Sequence, residues 1–152
     1  MADELRVINN DITQYIVVGL GNEQFGIDIK YIDNIVRMKR ITRVPKSSSY
    51  FKGVINLRGE VVPVMSLRGK MGFEEAEITG KSRIIILKVE QSGSIGVLVD
   101  EVKKVYNLSE EDVESVSHDS KSGVQSFISG VGKVDDGLVS LLDLSTIIGE
   151  VD

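Results

Sequence analysis

The amino-acid sequence predicts an all-β fold with a few short helices. Short runs rich in β-branched residues, such as 15–20 and 84–87, alternate with glycine-containing turns, a pattern that favours small barrels or a sandwich. The same apolar pattern occurs twice along the chain, which predicts two similar units. With 152 residues, 41% of them hydrophobic and 27% charged, the composition is that of an ordinary globular protein of one domain or two very small ones.

The segment before the first proline predicts two strands and a helix. Residues 15–20 and 24–28 have strand character and are separated by the turn Gly21-Asn22-Glu23. After Asp28, which is a plausible N-cap, apolar residues recur at helical spacing, so we expect a short helix that ends near Arg37. The residues that define this spacing are Ile29, Ile32, Ile35 and Val36.

A β-hairpin is predicted at the centre of the chain. Two apolar runs, 54–57 and 61–65, flank the pair Arg58-Gly59, and Gly59 can adopt the positive φ that a tight reversal needs. Arg58 then lies at the tip, where its side chain points outward. Pro63 has no N–H to donate to a neighbouring strand, so it should lie at an edge or a bulge.

The later part of the chain predicts two more strand pairs. Residues 83–89 pair with 94–99, and residues 127–134 pair with 138–142 across glycine-containing turns. The other predicted features are a break at 68–70, a helical or bent segment at 100–105, a start resembling a capping box at 109–112 and one helical turn at 145–148.

The internal repeat assigns these elements to two copies. A shift of 70 residues places Phe25-Gly26-Ile27 on Ile95-Gly96-Val97, and a shift of 77 places Gly53-Val54 on Gly130-Val131. Because a unit of roughly 70 residues has only a marginal core of its own, we expect the two units to pack on each other. The acidic loop 73–80 is the predicted boundary. This gives a flexible tail over 1–12, a first unit over 13–80 and a second over 81–152.

Composition and charge weigh against several classes of function. The 18 basic and 23 acidic residues give a net charge of −5, which disfavours binding to a nucleic-acid backbone. There is no cysteine, and the single histidine, His118, lies in a polar loop, so thiolate chemistry, a cysteine zinc site and a Ser-His-Asp triad are disfavoured. No stretch approaches the ~20 apolar residues of a membrane span. We expect a soluble intracellular protein with no cofactor, no metal and no catalytic centre.

Three ordered segments resemble the CheW-type coupling proteins of bacterial chemotaxis. The strongest is the run Gly53-Val54-Ile55-Asn56-Leu57-Arg58-Gly59, followed by Val62-Pro63-Val64 and Leu67-Arg68. The runs 20–29 and 96–102 resemble the same family. The resemblance implies a single CheW-like domain over 13–149 that consists of two SH3-like five-stranded barrels.

The resemblance also implies a function without catalysis. Members of this family join the cytoplasmic helices of methyl-accepting chemoreceptors to the regulatory domain of the histidine kinase CheA. We therefore expect an adaptor in the cytoplasm that is recruited to membrane-bound receptor arrays, with no nucleic acid as partner and no direct membrane insertion. The alternative is a generic SH3-like module for a peptide or a nucleic acid. A basic groove rich in aromatic residues would favour that alternative, whereas the chain is 5% aromatic and acidic.

The resemblance supplies the candidate site residues. By itself, an arginine at a hairpin tip is most often a solubilising charge, and an isoleucine stripe is most often core. The family's functionally important arginine, however, falls in the turn that contains Arg58. The expected receptor-facing residues are Arg58, Ile32, Gly53, Ile35 and Asn34, the last at a position where family members often have Glu. The expected kinase-facing residues are Leu98, Val134 and Gly96.

Overall fold

The structure is a computed structural model that describes residues 12–45, 48–89, 93–116, 123–135 and 137–148. Residues 1–11 of the predicted tail lie outside this part of the chain, and so does His118. Statements below about the absence of a feature apply to these residues only.

The described chain consists mainly of β-strands, which confirms the predicted all-β class. Two short helices and three single-turn 3-10 segments accompany the strands in these residues. The elements are β1 (Thr13–Leu20), β2 (Glu23–Asp28), β3 (Ile32–Arg37), β4 (Phe51–Leu57), β5 (Glu60–Ser66), α1 (Leu67–Met71), β6 (Arg83–Val89), β7 (Gly93–Val99), β8 (Glu101–Leu108), β9 (Val113–Ser115), β10 (Ile128–Val134), β11 (Gly137–Leu142) and α2 (Leu144–Ile148).

The strands form two sheets, one in each of two compact units. The central unit comprises residues 19–22 and 30–102, and its five-stranded sheet has the order β3-β6-β7-β5-β4. The terminal unit comprises the described residues up to Val18, residues 23–29 and those from Lys103 onward. Its sheet has the order β8-β1-β2-β11-β10-β9. This sheet has six strands, one more than the resemblance implied, because the three-residue strand β9 pairs with β10.

The two units do not follow the predicted boundaries at 13–80 and 81–152. The first hairpin, β1–β2, shares a sheet with β8 to β11, whereas β6 and β7 share a sheet with β3 to β5. Two parallel strand pairs produce this arrangement. Leu141 of β11 lies opposite Gly26 of β2, and Val64 of β5 lies opposite Gly96 of β7. The predicted boundary assumes that strands close in sequence pair with each other. Most strands do so, but β2 pairs with β11 and β5 pairs with β7.

The internal repeat is visible in the element bounds. A shift of 77 residues places Phe51–Leu57 on Ile128–Val134 and Leu67–Met71 on Leu144–Ile148. The parallel pairs above are related by the same two shifts, since Val64 falls on Leu141 and Gly26 falls on Gly96. The two copies therefore share strand pairing as well as apolar pattern.

The predicted helix over 28–37 is wrong. A 3-10 turn (Ile29–Tyr31) leads directly into β3, which pairs with β6. The register shifts between Ile32 and Asn34, and a bulge of this kind adds one residue to the strand's alternation. Apolar positions then recur at spacings of three and one, and these spacings match a helical period as well as a strand.

Two smaller predictions also change. Residues 100–105, expected to be helical or bent, belong mostly to β8, and the expected break at 68–70 is the short helix α1. Pro63, expected at an edge or a bulge, lies on β5 between β4 and β7 in the sheet order. It pairs only with β4, because the pairing with β7 begins at Val64. The missing N–H of the proline is therefore tolerated.

Each unit has its own apolar cluster. In the central unit Ile55, Val62, Val64, Ile84 and Ile86 are almost fully buried, and in the terminal unit Val17, Leu108, Val139 and Leu141 are. These residues come from alternate positions of their strands, as expected for sheets with one face toward a core. The Arg58 turn is thereby left at the surface, whereas the candidate site residues Gly53 and Gly96 are buried.

Candidate functional site

Arg58 occupies a two-residue turn between β4 and β5. Leu57 pairs with Glu60, so Arg58 and Gly59 are the only loop residues. Their φ angles are 52° and 84°, the combination of two positive values that characterises type I′ hairpins. The Asn56 side chain also supports the turn, since its Oδ1 accepts a hydrogen bond from the N–H of Gly59 at 3.2 Å. The predicted hairpin and its tip are confirmed.

The guanidinium of Arg58 lies beside two residues of β3. Its Nη2 is 3.8 Å from Asp33 Oδ2, and the two side chains are 70% and 45% exposed. In the amide orientation that satisfies both neighbours, Asn34 Oδ1 accepts from Arg58 Nη2 at 3.2 Å and its nitrogen donates to Asp33 Oδ2 at 3.2 Å. We call these three residues the Arg58 cluster. An ion pair this exposed adds little stability, so the arginine remains available to a partner.

The other expected receptor-facing residues have different positions. Ile32 and Ile35 lie half-buried on β3, the edge strand that also carries Asp33 and Asn34. The structure therefore brings four of the five residues to one strand and the adjacent turn: Arg58, Ile32, Ile35 and Asn34. Asn34 interacts with Arg58 through its amide and adds no negative charge to the cluster.

Gly53 is buried and shapes the backbone. Its φ is 139°, and a Cβ at this position would overlap the carbonyl oxygen of Thr42. The close approach exists because Thr42 and Val54 exchange two backbone hydrogen bonds of 2.8 Å each. Only glycine suits such a contact at positive φ. Because Gly53 is buried and lacks a side chain, it shapes the backbone and is not a direct contact for a partner.

The expected kinase-facing residues are divided between the units. Leu98 and Gly96 lie on β7 of the central unit, and Val134 ends β10 of the terminal unit. Leu98 is half-buried and lines a cleft. Gly96 is buried, and a Cβ there would lie 2.7 Å from Ile84 Cγ2. Val134 packs against the apolar cluster of the terminal unit.

Sequence reasoning missed a polar network in the central unit. Arg68 of α1 donates twice to Asp100, from Nε to Oδ1 at 2.8 Å and from Nη2 to Oδ2 at 2.6 Å. Asp100 Oδ2 also accepts from the N–H of Gly21 at 2.8 Å, and Arg68 Nη1 donates to the carbonyl of Glu74 at 2.9 Å. One carboxylate thus holds a turn and a helix to the end of β7, and we call Arg68, Asp100 and Gly21 the Arg68 network.

The network changes the pKa of both charged groups. The hydrogen bonds from Arg68 lower the pKa of Asp100 most, the Gly21 amide lowers it further, and partial burial opposes both effects. The same hydrogen bonds raise the pKa of Arg68. Bidentate pairs of this kind are stronger than ordinary hydrogen bonds. The two side chains are 32 residues apart in sequence, and no spacing rule could have paired them.

The described residues offer no metal site, since no group of three or more His, Cys, Asp or Glu side chains converges there. Among the same residues, no helix is both long and apolar enough to cross a membrane.

The fold defines the class of this protein. The two β units, each with a β-hairpin followed by a one-turn helix, are of the SH3-like kind found in bacterial scaffolding proteins. The family model for the CheW-like domain matches residues 14–152. The chain belongs to the CheW-like family.

Individual relatives are similar over nearly their whole length. The chain is 33% identical to the chemotaxis protein CheW of Thermotoga maritima, covering 87% of this chain and 85% of the relative. It is 31% identical to the chemotaxis protein CheW of Bacillus subtilis, covering 88% and 85%. The crystal structure of the scaffolding protein TtCheW from Thermoanaerobacter tengcongensis superposes with a TM-score of 0.82 at 27% identity, covering 92% of this chain and 97% of that one.

Proposed function

We propose that this protein is a non-catalytic adaptor that couples the cytoplasmic tips of chemoreceptors to a CheA-type histidine kinase. Membership of the CheW-like family over residues 14–152 supports a scaffolding role. The relatives' names place them in chemotaxis. In this role the protein works in the cytoplasm and is recruited to receptor arrays at the membrane through its partners.

The observation that carries the proposal is the conformation of Arg58. A residue with a Cβ costs roughly 1–2 kcal/mol in the left-handed region, where Gly and Asn are better tolerated. The chain nevertheless has arginine at φ 52°, in a position where its guanidinium contributes little to stability. Backbone strain retained at an exposed turn indicates a function that needs this side chain. A guanidinium is suited to bidentate pairing with a carboxylate of a partner.

The mechanism needs only binding and orientation. Receptor helices contact the exposed part of β3 and the Arg58 cluster, and the kinase regulatory domain binds elsewhere on the chain, with Leu98 as the expected contact. Holding both partners on one adaptor raises their concentration near each other and fixes their geometry. No step requires a bond to be made or broken in the adaptor.

Calorimetric titration tests the proposal. The protein is titrated into the regulatory region of a CheA-type kinase from the same source, then into a receptor cytoplasmic fragment, and then into their mixture. Binding of both partners without competition is the expected result. Absence of binding to either partner at concentrations near ~1 mM, where even weak signalling contacts are populated, would overturn the adaptor function while the family assignment remains.

Arg58→Asn is the informative variant for the receptor side. Asparagine tolerates the left-handed conformation, so we expect unchanged or slightly higher stability together with receptor binding weakened by about tenfold, as for loss of one interfacial charge pair. Lys133→Asn, an exposed change on β10, is the matched control. Normal receptor binding by Arg58→Asn would remove Arg58 from the interface.

A further inference from the structure

A cleft of about 750 Å³ opens on the central unit, and the proposed receptor contacts do not use it. Its described lining comes from residues 41–45 and 48–52 together with Ile78 and Leu98, and we call it the 41–52 cleft. Val44 is 42% exposed and Ile78 is 56% exposed, and Leu98 is half-buried. Its volume falls in the range of clefts that bind a ligand or a short segment of protein.

Arg43 lines this cleft, and three further basic residues precede it in the sequence. Four basic residues that precede or line it are exposed, and residues 37–45 contain no carboxylate although the whole chain has a net charge of −5. In the described part of the chain none of the four forms an ion pair. They are Arg37, Lys39, Arg40 and Arg43. Neighbouring positive charges without counter-charges attract an acidic partner and speed its association.

One acidic side chain beside the cleft, Glu75, already has partners. Glu75 Oε1 accepts from Ser66 Oγ at 2.8 Å and lies 3.4 Å from the Nζ of Lys52, a residue that lines the cleft. A carboxylate therefore fits beside this wall of the cleft. Arg43, which also lines it, forms no such pair within the described residues.

We propose that the 41–52 cleft docks a short acidic segment of a partner protein. Apolar side chains of the segment contact Val44, Ile78 and Leu98, and its carboxylates pair with Arg43 and the basic residues before it. The inference rests on the proposed function in one respect: the segment belongs to one of the proteins that the adaptor joins. An anionic membrane is the less suitable occupant, because a flat bilayer cannot enter a concave cleft whose apolar side chains line its walls.

A synthetic peptide tests the docking directly. The probe is a fluorescein-labelled peptide with three leucines between two pairs of glutamates, and binding to the full chain is measured by fluorescence anisotropy. We expect saturable binding that weakens with added salt. A peptide with glutamine for glutamate should bind about tenfold more weakly. Equal affinity for the two peptides would overturn the proposed charge recognition.

Two variants and a matched control locate the binding. Arg43→Glu should weaken peptide binding by about tenfold or more, because one charge reversal replaces attraction by repulsion. Ile78→Ser, at a mostly exposed position, should weaken it by several-fold with an unchanged thermal melt. Lys133→Glu makes the same change in net charge on the terminal unit and should change affinity by less than about twofold. Equal losses for Arg43→Glu and Lys133→Glu would overturn the proposal.

Parallel titrations separate this inference from the adaptor function. The cleft proposal fails and the adaptor function stands if the kinase and receptor fragments bind normally but the peptide does not. The same conclusion follows if Arg43→Glu changes the binding of neither fragment. If neither fragment binds, the adaptor function fails. Sedimentation with phosphatidylglycerol vesicles completes the test: vesicle binding that Arg43→Glu abolishes, without peptide binding, would assign the basic surface to a membrane instead.

Discussion

The two copies of the repeat share a backbone but differ in their polar side chains. In the central unit the hairpin β4–β5 turns at Arg58, and α1 carries Arg68. At the equivalent positions the terminal unit has Asp135 and Ser145. The shift of 70 residues places Lys30 at the position equivalent to Asp100, the acceptor for Arg68. Apart from β9, the strands, their pairing and the helices are thus duplicated, whereas the Arg58 cluster and the Arg68 network both lie in the central unit.

This difference separates the buried positions that stabilise the fold from the surface positions that can bind a partner. Positions buried in both copies, such as Val62 and Val139, are apolar in both, because burial of apolar area stabilises each unit in the same way. The polar positions are not constrained by that requirement and have diverged. The side of the repeat with the strained arginine is therefore the side on which we expect a binding function.

The largest expected difference between the copies concerns Gly53 and Gly130, which follow register shifts in β4 and β10. Gly53→Ala places a Cβ on the Thr42 carbonyl oxygen at φ 139°, whereas Gly130→Ala places one 3.0 Å from the Glu114 oxygen without a positive φ. Strain and overlap together should cost about 4 kcal/mol at Gly53 and about 1–2 kcal/mol at Gly130. Urea unfolding of both variants measures the difference. Equal costs would mean that the backbone at Gly53 relaxes.

The Arg68 network should give the next largest effect. Asp100→Asn removes the charge that strengthens two hydrogen bonds from Arg68 and one from Gly21, and it replaces one acceptor oxygen with an NH2 donor. Both charged side chains are mostly buried, at 19% and 28% exposure. We expect a loss of about 2 kcal/mol, since hydrogen bonds to charged groups contribute more than neutral ones. Lys30→Ala, at the equivalent position of the other copy, should cost less than about 0.5 kcal/mol. Urea unfolding near neutral pH measures both, and equal losses would contradict a stabilising network.

Acid should remove the stabilisation that Asp100 provides. The pKa of Asp100 is lower in the folded chain than its ordinary value, so its contribution is fully present above the unfolded pKa of about 3.9 and is lost as the pH falls through the folded pKa. The free-energy difference between the wild type and Asp100→Asn should therefore shrink between about pH 5 and about pH 2. Hydrogen bonds from Ser109 also lower the pKa of Asp112, but this contribution is the same in the wild type and the variant. A difference that stays constant down to about pH 2 would contradict the assignment.

The local elements of the fold could be predicted from sequence because their signals are local. The β-branched and aromatic residues of β1 and the turn residues Arg58-Gly59 each act over a few residues, and both predictions are confirmed. The helix predicted at 28–37 failed because a bulge in β3 imitates a helical period. The predicted unit boundaries differ from the observed ones because no residue pattern states whether β2 pairs in parallel with β5 or with β11, the copy of β5.

The candidate site was less predictable for a related reason. The tip position of Arg58 follows from the hairpin, but its neighbours on β3 depend on a strand that the sequence did not predict. The pair Arg68–Asp100 requires knowledge of which loop reaches α1. Gly53 was assigned to a surface from its motif, whereas its positive φ and its contact with Thr42 arise only in the folded chain.

The smallest expected difference between the copies lies in the helix N-caps. Ser66 Oγ accepts from the N–H of Gly69 at 3.0 Å at the start of α1, and Asp143 Oδ1 accepts from the N–H of Ser145 at 3.1 Å at the start of α2. Replacing either cap with alanine should cost about 1 kcal/mol. Ser66 also donates to Glu75 at 2.8 Å, so Ser66→Ala should cost slightly more in urea unfolding. Glu75→Gln keeps an acceptor for Ser66 and serves as the control. If Asp143→Ala costs clearly more than Ser66→Ala, the hydrogen bond to Glu75 adds nothing to the cap and the two helix starts differ only in the capping residue itself.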